Sequence, residues 1–231
     1  MNNPKEKLKE YLDQIFHRFL NLKSLFYELK RINSWYTPER EEAINHGSYF
    51  FQLTTYSMTR IYLVELAALL SDKEDRSLID WLGKACVHAK ILCPSRYKPS
   101  EKNEREVINP NEYRVLIDQN ISALYSFNDL INRIKAWRDK SITHLDKAFF
   151  ADPSAIYDRY PIINSEIDKL IECISQILHE HYSYLFHADS RMETLSVTNV
   201  DSILSYVQAF QRVRKDKELI NKGFRPANYL E

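Results

Sequence analysis

Glycine is almost absent from this chain, and its scarcity limits the folds that the sequence can adopt. Only three glycines, Gly47, Gly83 and Gly223, occur among the 231 residues. Hairpin turns and phosphate-binding loops need glycine because their backbones take positive φ angles or approach a ligand closely. A hairpin-rich all-β fold is therefore disfavoured. Neither common glycine-rich phosphate loop is present, so a Rossmann or P-loop enzyme is close to excluded.

Apolar residues recur at spacings of three and four along most of the chain, which predicts an all-α fold. The first helix is predicted from residue 4 to about residue 32. Later helices are predicted from Pro38 (with Thr37 as N-cap and a kink at Gly47) to Leu70, at 75–92, from Asn109 through 147, from Ser165 to Phe186, and at 199–220. The polar, proline-containing stretch 93–113 is predicted to be an exposed loop.

The charge balance gives the whole molecule no net field for polyanions. Lys and Arg number 32, as do Asp and Glu, so a nucleic-acid site would have to come from a local patch. The three cysteines are widely spaced and odd in number, which fits a reducing compartment better than a disulfide framework. The N-terminus does not have the pattern of a signal peptide, and the longest apolar stretch, 61–70, is too short to span a bilayer. We therefore expect a cytoplasmic protein.

The predicted helix that begins at Asn109 has one unusual position on its inner row. Steps of three and four follow apolar residues along this row: Ile117, Ile121, Leu124, Phe127, Ile131, Ile134, Ile142 and Leu145. Arg138 interrupts the row between Ile134 and Ile142. A charge removed from water is costly unless it is paired or hydrogen-bonded. Either the helix end is exposed and Arg138 pairs with a carboxylate, or Arg138 faces something anionic.

His144 follows Arg138 by six residues, on an adjacent row. On one uninterrupted helix that separation places the two side chains roughly 120° apart and about 9 Å apart along the axis. One helix would not direct both at a single atom. Two copies related by a two-fold axis could combine them in a shared cleft, and such dimers are the commonest oligomers.

The segment "RDKSITHLDK", residues 138–147, resembles the HEPN superfamily. Members carry an Arg, then a polar residue, and a His after a further four to six residues, late in a helical segment. Here the matching residues are Arg138, Asp139 and His144. The helix that follows, "SEIDKLIECISQILHEHY", makes the chain most similar to the AbiU-type branch, which is linked to abortive infection. Two positions depart from the family's pattern: Asp139 replaces a frequent Asn, and Thr143 replaces a small Ala.

The resemblance implies the architecture and the chemistry. It covers about residues 10–190 and implies a HEPN-like bundle of long antiparallel helices over 1–190. The resemblance does not account for the last forty residues, where the amphipathic stretch and the basic residues predict a C-terminal helical extension with a basic tail over 191–231. Many HEPN proteins are metal-independent ribonucleases, so we expect no cofactor. The expected partners are an RNA substrate, a second copy of the chain, and a cognate antitoxin or nucleotidyltransferase-type protein, with no membrane contact.

Each candidate residue has an expected role in the cleavage of RNA by such a ribonuclease. His144 would transfer protons near neutral pH, and Arg138 would hold the phosphate oxygens through a bidentate fork. Asp139 would orient the His or the Arg, while Lys140 and Lys147 would contact phosphate. The segment 130–147 contains five bases and two acids, which is a local excess of positive charge.

Two other readings remain open at this stage. The first is a catalytically silent HEPN module that binds nucleic acid or a partner protein. The second is a helical scaffold in which Arg138 pairs with a carboxylate of its own subunit. A zinc site in "HEHYSYLFH" (179–187) is disfavoured, because His179 and His181 face apart on a helix. These histidines are expected at the surface or at its boundary, and the basic residues of 212–225 on a solvated helix end.

Overall fold

The computed structural model describes residues 3–38, 40–98, 101–142, 147–152, 154–187 and 200–223. The helices are α1 (Pro4–Ser34), α2 (Glu41–Asn45), α3 (Ser48–Leu69), α4 (Leu78–Val87), α5 (Ala89–Leu92), α6 (Pro110–Tyr125), α7 (Asn128–Trp137), a π-helical turn (Arg138–Ile142), α8 (Lys147–Ala151), α9 (Ala155–Arg159), α10 (Asn164–Phe186), α11 (Val200–Lys215) and α12 (Lys217–Asn221). Two strands, β1 (Ser95–Lys98) and β2 (Glu101–Val107), complete the described elements. The predicted all-α fold class is confirmed.

The polar stretch 93–113 is not the loop that its composition predicts. β1 and β2 form an antiparallel hairpin in which Ser95 pairs with Val107 and Tyr97 pairs with Arg105. Composition failed here because the strands alternate charged and polar side chains, so no apolar period of two marks them. The hairpin packs against the C-terminal end of α10, where Arg105 Nη2 donates to the carbonyl oxygen of Ser183 at 2.7 Å.

The predicted helix caps agree with the structure in one case and differ in two. The side chain of Asn109 caps α6 by accepting from the backbone of Asn111, with Pro110 at the first helical position, as predicted. Thr37 does not cap α2, which begins at Glu41. Ser165 does not cap α10, which begins one residue earlier without a side-chain cap. Short polar residues mark a helix start only to within a few positions when tertiary packing sets the boundary.

The helix predicted from Asn109 through residue 147 is not continuous. α6 ends at Tyr125, and a turn at Ser126–Phe127 leads into α7. Four residues of the predicted apolar row are nevertheless buried, on both sides of that turn, while Ile121 and Phe127 are half-buried. Ile117 and Leu124 are buried on α6, and Ile131 and Ile134 are buried on α7. After Trp137 the winding changes from α to π, and it does so at Arg138.

The chain forms two compact units, of which the first contains Met1–Lys23 and Arg60–Thr194. A polar contact is enclosed in its core. His181 of α10 is fully buried, with Nδ1 2.9 Å from the hydroxyl of Tyr113 and Nε2 3.1 Å from Nδ2 of Asn120. The ring lies edge-on to Trp81, whose Nε1 donates to the carbonyl oxygen of Leu8 at 2.9 Å. The expectation of a surface position is therefore wrong for His181.

These contacts fit a neutral imidazole. Asn120 Nδ2 donates to Nε2, so the ring proton lies on Nδ1 and is donated to the Tyr113 oxygen. A protonated ring would have no acceptor to offer Asn120. Burial lowers the pKa of His181 to about 3, because charging the ring would require desolvating an ion.

The second unit contains Ser24–Thr59 and Leu195–Glu231. Its small apolar core is formed by Ile32, Trp35, Ala43, Ile44, Phe51 and Leu204. Trp35 also donates from Nε1 to Asp201 of α11 at 2.5 Å, and Gln211 donates to the carbonyl oxygen of Glu42 at 3.2 Å. The described residues 200–223 thus belong to the same compact unit as residues 24–59. The domain boundary at residue 190 stays a prediction.

The buried histidine predicts that the protein loses stability in mild acid. The folded state keeps His181 neutral down to about pH 3, whereas the unfolded chain binds a proton below about pH 6.5. Between these values the unfolded state holds the extra proton, so the free energy of unfolding should fall by up to about 1.4 kcal/mol per pH unit. Urea unfolding between neutral pH and pH 4.5 would measure this slope.

His181→Gln should flatten that pH dependence, because the variant has no group to titrate at this position. His17→Gln is the matched control, since the His17 side chain is 66% exposed and is hydrated in both states. If His181→Gln does not fold, ring resonances of the wild-type protein give a direct readout. A His181 ring that protonates near pH 6 in the folded protein would contradict the prediction.

Candidate functional site

Arg138 lies where α7 ends and the π turn begins. It follows Ile131 and Ile134 on the buried row, and its side chain remains only 19% exposed. A π turn closes hydrogen bonds five residues apart instead of four, and such turns occur frequently at functional sites. The residues that resemble the HEPN pattern therefore start at the point where the helix changes its winding.

Two carboxylates of the same chain hold the guanidinium of Arg138. Its Nη1 donates to Oε1 of Glu74 at 2.5 Å, and its Nε donates to Oδ1 of Asp139 at 2.7 Å. Asp139 and Glu74 together raise the pKa of Arg138 above its ordinary value, and the hydrogen bond that Arg138 donates to Asp139 is the largest cause. Glu74 belongs to the segment between α3 and α4, 64 residues from Arg138 in sequence.

Arg138 lines an open cavity of about 310 Å³ between that segment and α7. Three acids and three bases line it: Asp72, Glu74, Asp139, Lys73, Lys135 and Arg138. The lining charges therefore balance. This cavity of a single chain is not a strongly positive cleft.

The other bases of α7 are also paired. Arg133 contacts Glu166 of α10 and Asp129 of its own helix, each at 3.0 Å, and Lys135 contacts Asp72 at 3.2 Å. The Arg133 guanidinium lowers the pKa of Glu166 through its hydrogen bond. Carboxylates from distant parts of the sequence thus offset the local excess of basic residues in 130–147.

Arg60 of α3 is a residue of this site that the sequence reasoning missed. Its Nη2 lies 3.4 Å from the carbonyl oxygen of Ser141 and 3.2 Å from that of Ile142. Carbonyl groups at a helix end lack intrahelical donors, and a guanidinium satisfies them while complementing the negative end of the helix dipole. Arg60 therefore holds the backbone of the π turn. Its sequence position, about eighty residues before the turn, gave no signal of this contact.

Trp137 anchors the start of the π turn, opposite the end that Arg60 contacts. Its Nε1 donates to the carbonyl oxygen of Tyr160 at 2.8 Å, and its ring lies edge-on to Tyr157 at 4.8 Å between centres. Because Trp137 immediately precedes the π turn, these contacts anchor the helix on which Arg138 is presented.

The structure brings only part of the predicted site together. Arg138 and Asp139 share a hydrogen bond, Lys140 is half-buried, and Lys147 is exposed at the start of α8. His144 lies outside the described residues. The 120° angle expected between Arg138 and His144 assumed an unbroken α-helix, and the π turn removes that assumption.

Two of the three histidines in 179–187, His181 and His187, are hydrogen-bonded to different partners. His181 is enclosed by Tyr113 and Asn120, and His187 lies after the helix with Nδ1 3.2 Å from Ser95 Oγ. Within the described ranges, no group of three or more His, Cys, Asp or Glu side chains is placed to hold a metal ion.

Comparison with known proteins gives the family. The model of the HEPN_AbiU2 family, described as AbiU2, matches residues 5–204. The chain belongs to this family, which places it among the HEPN-type proteins associated with abortive infection. No curated protein and no solved structure gave a match. None of the helices in the described part of the chain is both long enough and apolar enough to cross a membrane.

Arg60 predicts a local change at the π turn when it is replaced. Arg60→Gln should lower the free energy of unfolding by about 1 kcal/mol, the usual effect of losing one such hydrogen-bonded group. Amide hydrogen exchange should accelerate at residues 138–142, because the last carbonyls of the turn lose their donor.

Arg18→Gln is the matched control for Arg60→Gln. It removes an arginine that pairs with Glu65, also on α3, at 2.5 Å, but it touches no residue of the π turn. Unchanged exchange at residues 138–142 in Arg60→Gln would show that Arg60 does not hold the turn.

Proposed function

We propose that this protein is a metal-independent HEPN endoribonuclease that acts in the cytoplasm in abortive infection, with Arg138 and His144 as catalytic residues. Family membership over residues 5–204 supports the class. The observation that best supports the site is Arg138 itself. It is a largely buried guanidinium at a π turn, oriented by two carboxylates on the wall of an open cavity.

The proposed reaction is attack by an RNA 2′-hydroxyl on the adjacent phosphorus. The bond from O2′ to phosphorus forms, and the bond from phosphorus to O5′ breaks. The 2′-hydroxyl loses its proton to a base, and an acid protonates the departing 5′-oxygen. The products are a 2′,3′-cyclic phosphate and a 5′-hydroxyl. His144 serves the proton transfers because an imidazole exchanges protons near neutral pH.

Arg138 stabilises the negative charge that builds on the phosphate oxygens. A guanidinium suits this role because it stays charged and presents parallel N–H donors to two oxygens. Asp139 fixes its direction through the 2.7 Å hydrogen bond. A bound phosphate must compete with Glu74 for the Nη1 donor of Arg138. The transition state carries more negative charge on the phosphate oxygens than the ground state does, so it competes better for this donor.

A second copy of the chain is part of the proposal. Two Arg138–His144 segments related by a two-fold axis would each contribute to a shared cleft, with Lys140 and Lys147 near the RNA backbone. The RNA substrate and a cognate antitoxin or nucleotidyltransferase-type protein complete the proposed partners.

One observation favours a second candidate, in which the segment is structural. A helical scaffold predicts that Arg138 pairs with a carboxylate of its own subunit, and Glu74 makes this pair at 2.5 Å. A silent HEPN module that binds nucleic acid or a partner would contain the same contact. The two classes differ in what the pair does, since a scaffold needs it for stability and a nuclease needs it for activity.

Arg138→Ala and His144→Ala should each reduce RNA cleavage by at least about a hundredfold, the usual range for removing a group that stabilises charge or transfers a proton. The thermal melt should stay nearly unchanged, because a partly exposed ion pair such as Arg138–Glu74 contributes about 1 kcal/mol or less. Cleavage of a labelled RNA pool with EDTA present, followed by identification of the product ends, measures both claims.

Arg133→Ala is the matched control, since it removes a paired arginine five residues earlier that contacts Glu166 instead of the cavity. It should cleave RNA at the wild-type rate once its folded fraction is taken into account. Retained cleavage in Arg138→Ala contradicts the catalytic assignment. A large drop in the melting temperature of Arg138→Ala and Glu74→Ala, with no cleavage by the wild-type protein, would support the scaffold.

A further inference from the structure

A second group of basic side chains lies at the C-terminal end of α10, within the first unit. Arg105 of β2 donates from Nη2 to the carbonyl oxygens of Ser183 at 2.7 Å and Ser95 at 3.1 Å. Ser95 in turn contacts the ring of His187, the residue that follows α10. The hairpin therefore places Arg105 and His187 side by side.

Two lysines of α1 reach the same place. Lys9 lies with Nζ 5.0 Å from the centre of the Phe186 ring, and Lys5 is one helical turn before it on the same face. Burial is the largest cause that lowers the pKa of His187, and the positive charges of Arg105, Lys9 and Lys5 lower it further. Each of the three cations thus lies within electrostatic reach of that ring.

These cations lack the counter-charges that surround Arg138. Among the residues that the structure describes, no carboxylate forms an ion pair with Lys5, Lys9 or Arg105. Arg105 Nε and Nη1 are enclosed, and no described group accepts a hydrogen bond from either. A partly buried guanidinium without a counter-charge is costly, so an anion that approaches it lowers the free energy of the site.

Aromatic rings lie among these charges. The Tyr97 ring lies 4.3 Å from the Arg105 guanidinium and is 50% exposed. Phe186 stacks on Tyr182 at 4.3 Å, and Tyr182 stacks on Phe16 at 4.2 Å. The rings are therefore held in place before any ligand arrives. Cations without a counter-charge beside an exposed aromatic ring, here that of Tyr97, are features that bind single-stranded nucleic acids.

We propose that the hairpin surface, formed by Lys5, Lys9, Tyr97, Arg105, Phe186 and His187, binds single-stranded RNA. The lysines contact backbone phosphates, the enclosed charge of Arg105 adds to the positive field beside them, and Tyr97 stacks on a base. The proposal rests on the proposed function only for the choice of RNA as the nucleic acid. It requires no chemistry at Arg138.

An acidic polypeptide would also satisfy the cations, but it would leave the aromatic faces unused. Stacking therefore separates the two ligands: binding of bases depends on Tyr97, and binding of carboxylates does not. The structural alternative is that Arg105 serves only as a cap for the last carbonyls of α10, which gives no reason for Lys5 and Lys9 to be unpaired.

Binding is measured by fluorescence anisotropy with a labelled 2′-O-methyl oligouridylate, which the proposed reaction cannot cleave because it has no free 2′-hydroxyl. At about 0.1 M salt, Lys5→Gln/Lys9→Gln should raise Kd about tenfold. The slope of log Kd against log salt should fall by about 1.4, because each lost contact with a single strand removes about 0.7.

Lys7→Gln/Lys90→Gln is the matched control. It removes the same charge from two exposed lysines, one on α1 away from the face of Lys5 and Lys9 and one on α5. It should bind like the wild-type protein. Tyr97→Leu should raise Kd for the oligouridylate about fivefold, the lower end of the usual loss of base stacking, and should leave binding of inorganic polyphosphate unchanged.

Three results would overturn the proposal: no RNA binding by the wild-type protein, equal losses in the two lysine pairs, or polyglutamate binding as tight as RNA binding and equally independent of Tyr97. Failure here is distinguishable from failure of the proposed nuclease. If Arg138→Ala abolishes cleavage while the Lys5/Lys9 variant binds normally, only the hairpin surface is wrong. If the Lys5/Lys9 variant binds weakly while Arg138→Ala still cleaves, only the catalytic assignment is wrong.

Discussion

The buried ring of His181 sets the relative positions of the helices in the first unit. It joins α10 to α6 through Tyr113 and Asn120, and it packs against Trp81 of α4. Apolar rows bring helices together but allow them to slide, since one methyl group packs much like another. A buried polar network satisfies all its hydrogen bonds in only a few relative positions of the helices. It therefore fixes how far one helix is shifted along the other. The position of α6 against α10 is therefore fixed. Because only a two-residue turn separates α6 from α7, the position of α7 and its π turn depends on α6.

Two arginines of the first unit carry a charge that is partly removed from water, and they differ in the groups that surround this charge. Arg138 is largely buried and is met by Glu74 and Asp139, so its charge is neutralised and its direction fixed. Arg105 is partly buried, and the described groups that meet it are backbone carbonyls and a tyrosine ring. The first arrangement suits a group that must meet one phosphate in a defined geometry. The second leaves a net positive field and suits contacts that are broad and tolerant of sequence.

The sequence predicted the helices well because their signal is local. Ile117, Leu124, Ile131 and Ile134 are buried as the spacing requires, and Arg138 interrupts their row. The hairpin was missed because its strands are polar on both faces. The turn at Ser126–Phe127 and the π winding were missed because an apolar spacing of three or four tolerates one shifted residue without a visible break.

The contacts that define the candidate site lie beyond what a single sequence can indicate. Glu74 and Arg60 reach the motif from 64 and 81 residues away, and neither carries a local pattern that points there. His181 was misplaced for the same reason: its partners Tyr113 and Asn120 are 68 and 61 residues away. Residue type suggested surface positions for the histidines of 179–187; His179 and His187 are exposed as expected, whereas tertiary contacts bury His181.

The π turn removes the angular reason for expecting that Arg138 and His144 combine across two copies of the chain. The angular offset of an ideal α-helix no longer applies, because the winding departs from α at the arginine itself. What remains is a division of roles between two arginines. Arg60 holds the carbonyl oxygens of Ser141 and Ile142 at the end of the turn, and Arg138 presents its charge to the cavity from the beginning of the turn. A turn fixed at both ends holds its first side chain in a defined direction, which is the condition for stabilising a transition state instead of merely attracting a phosphate.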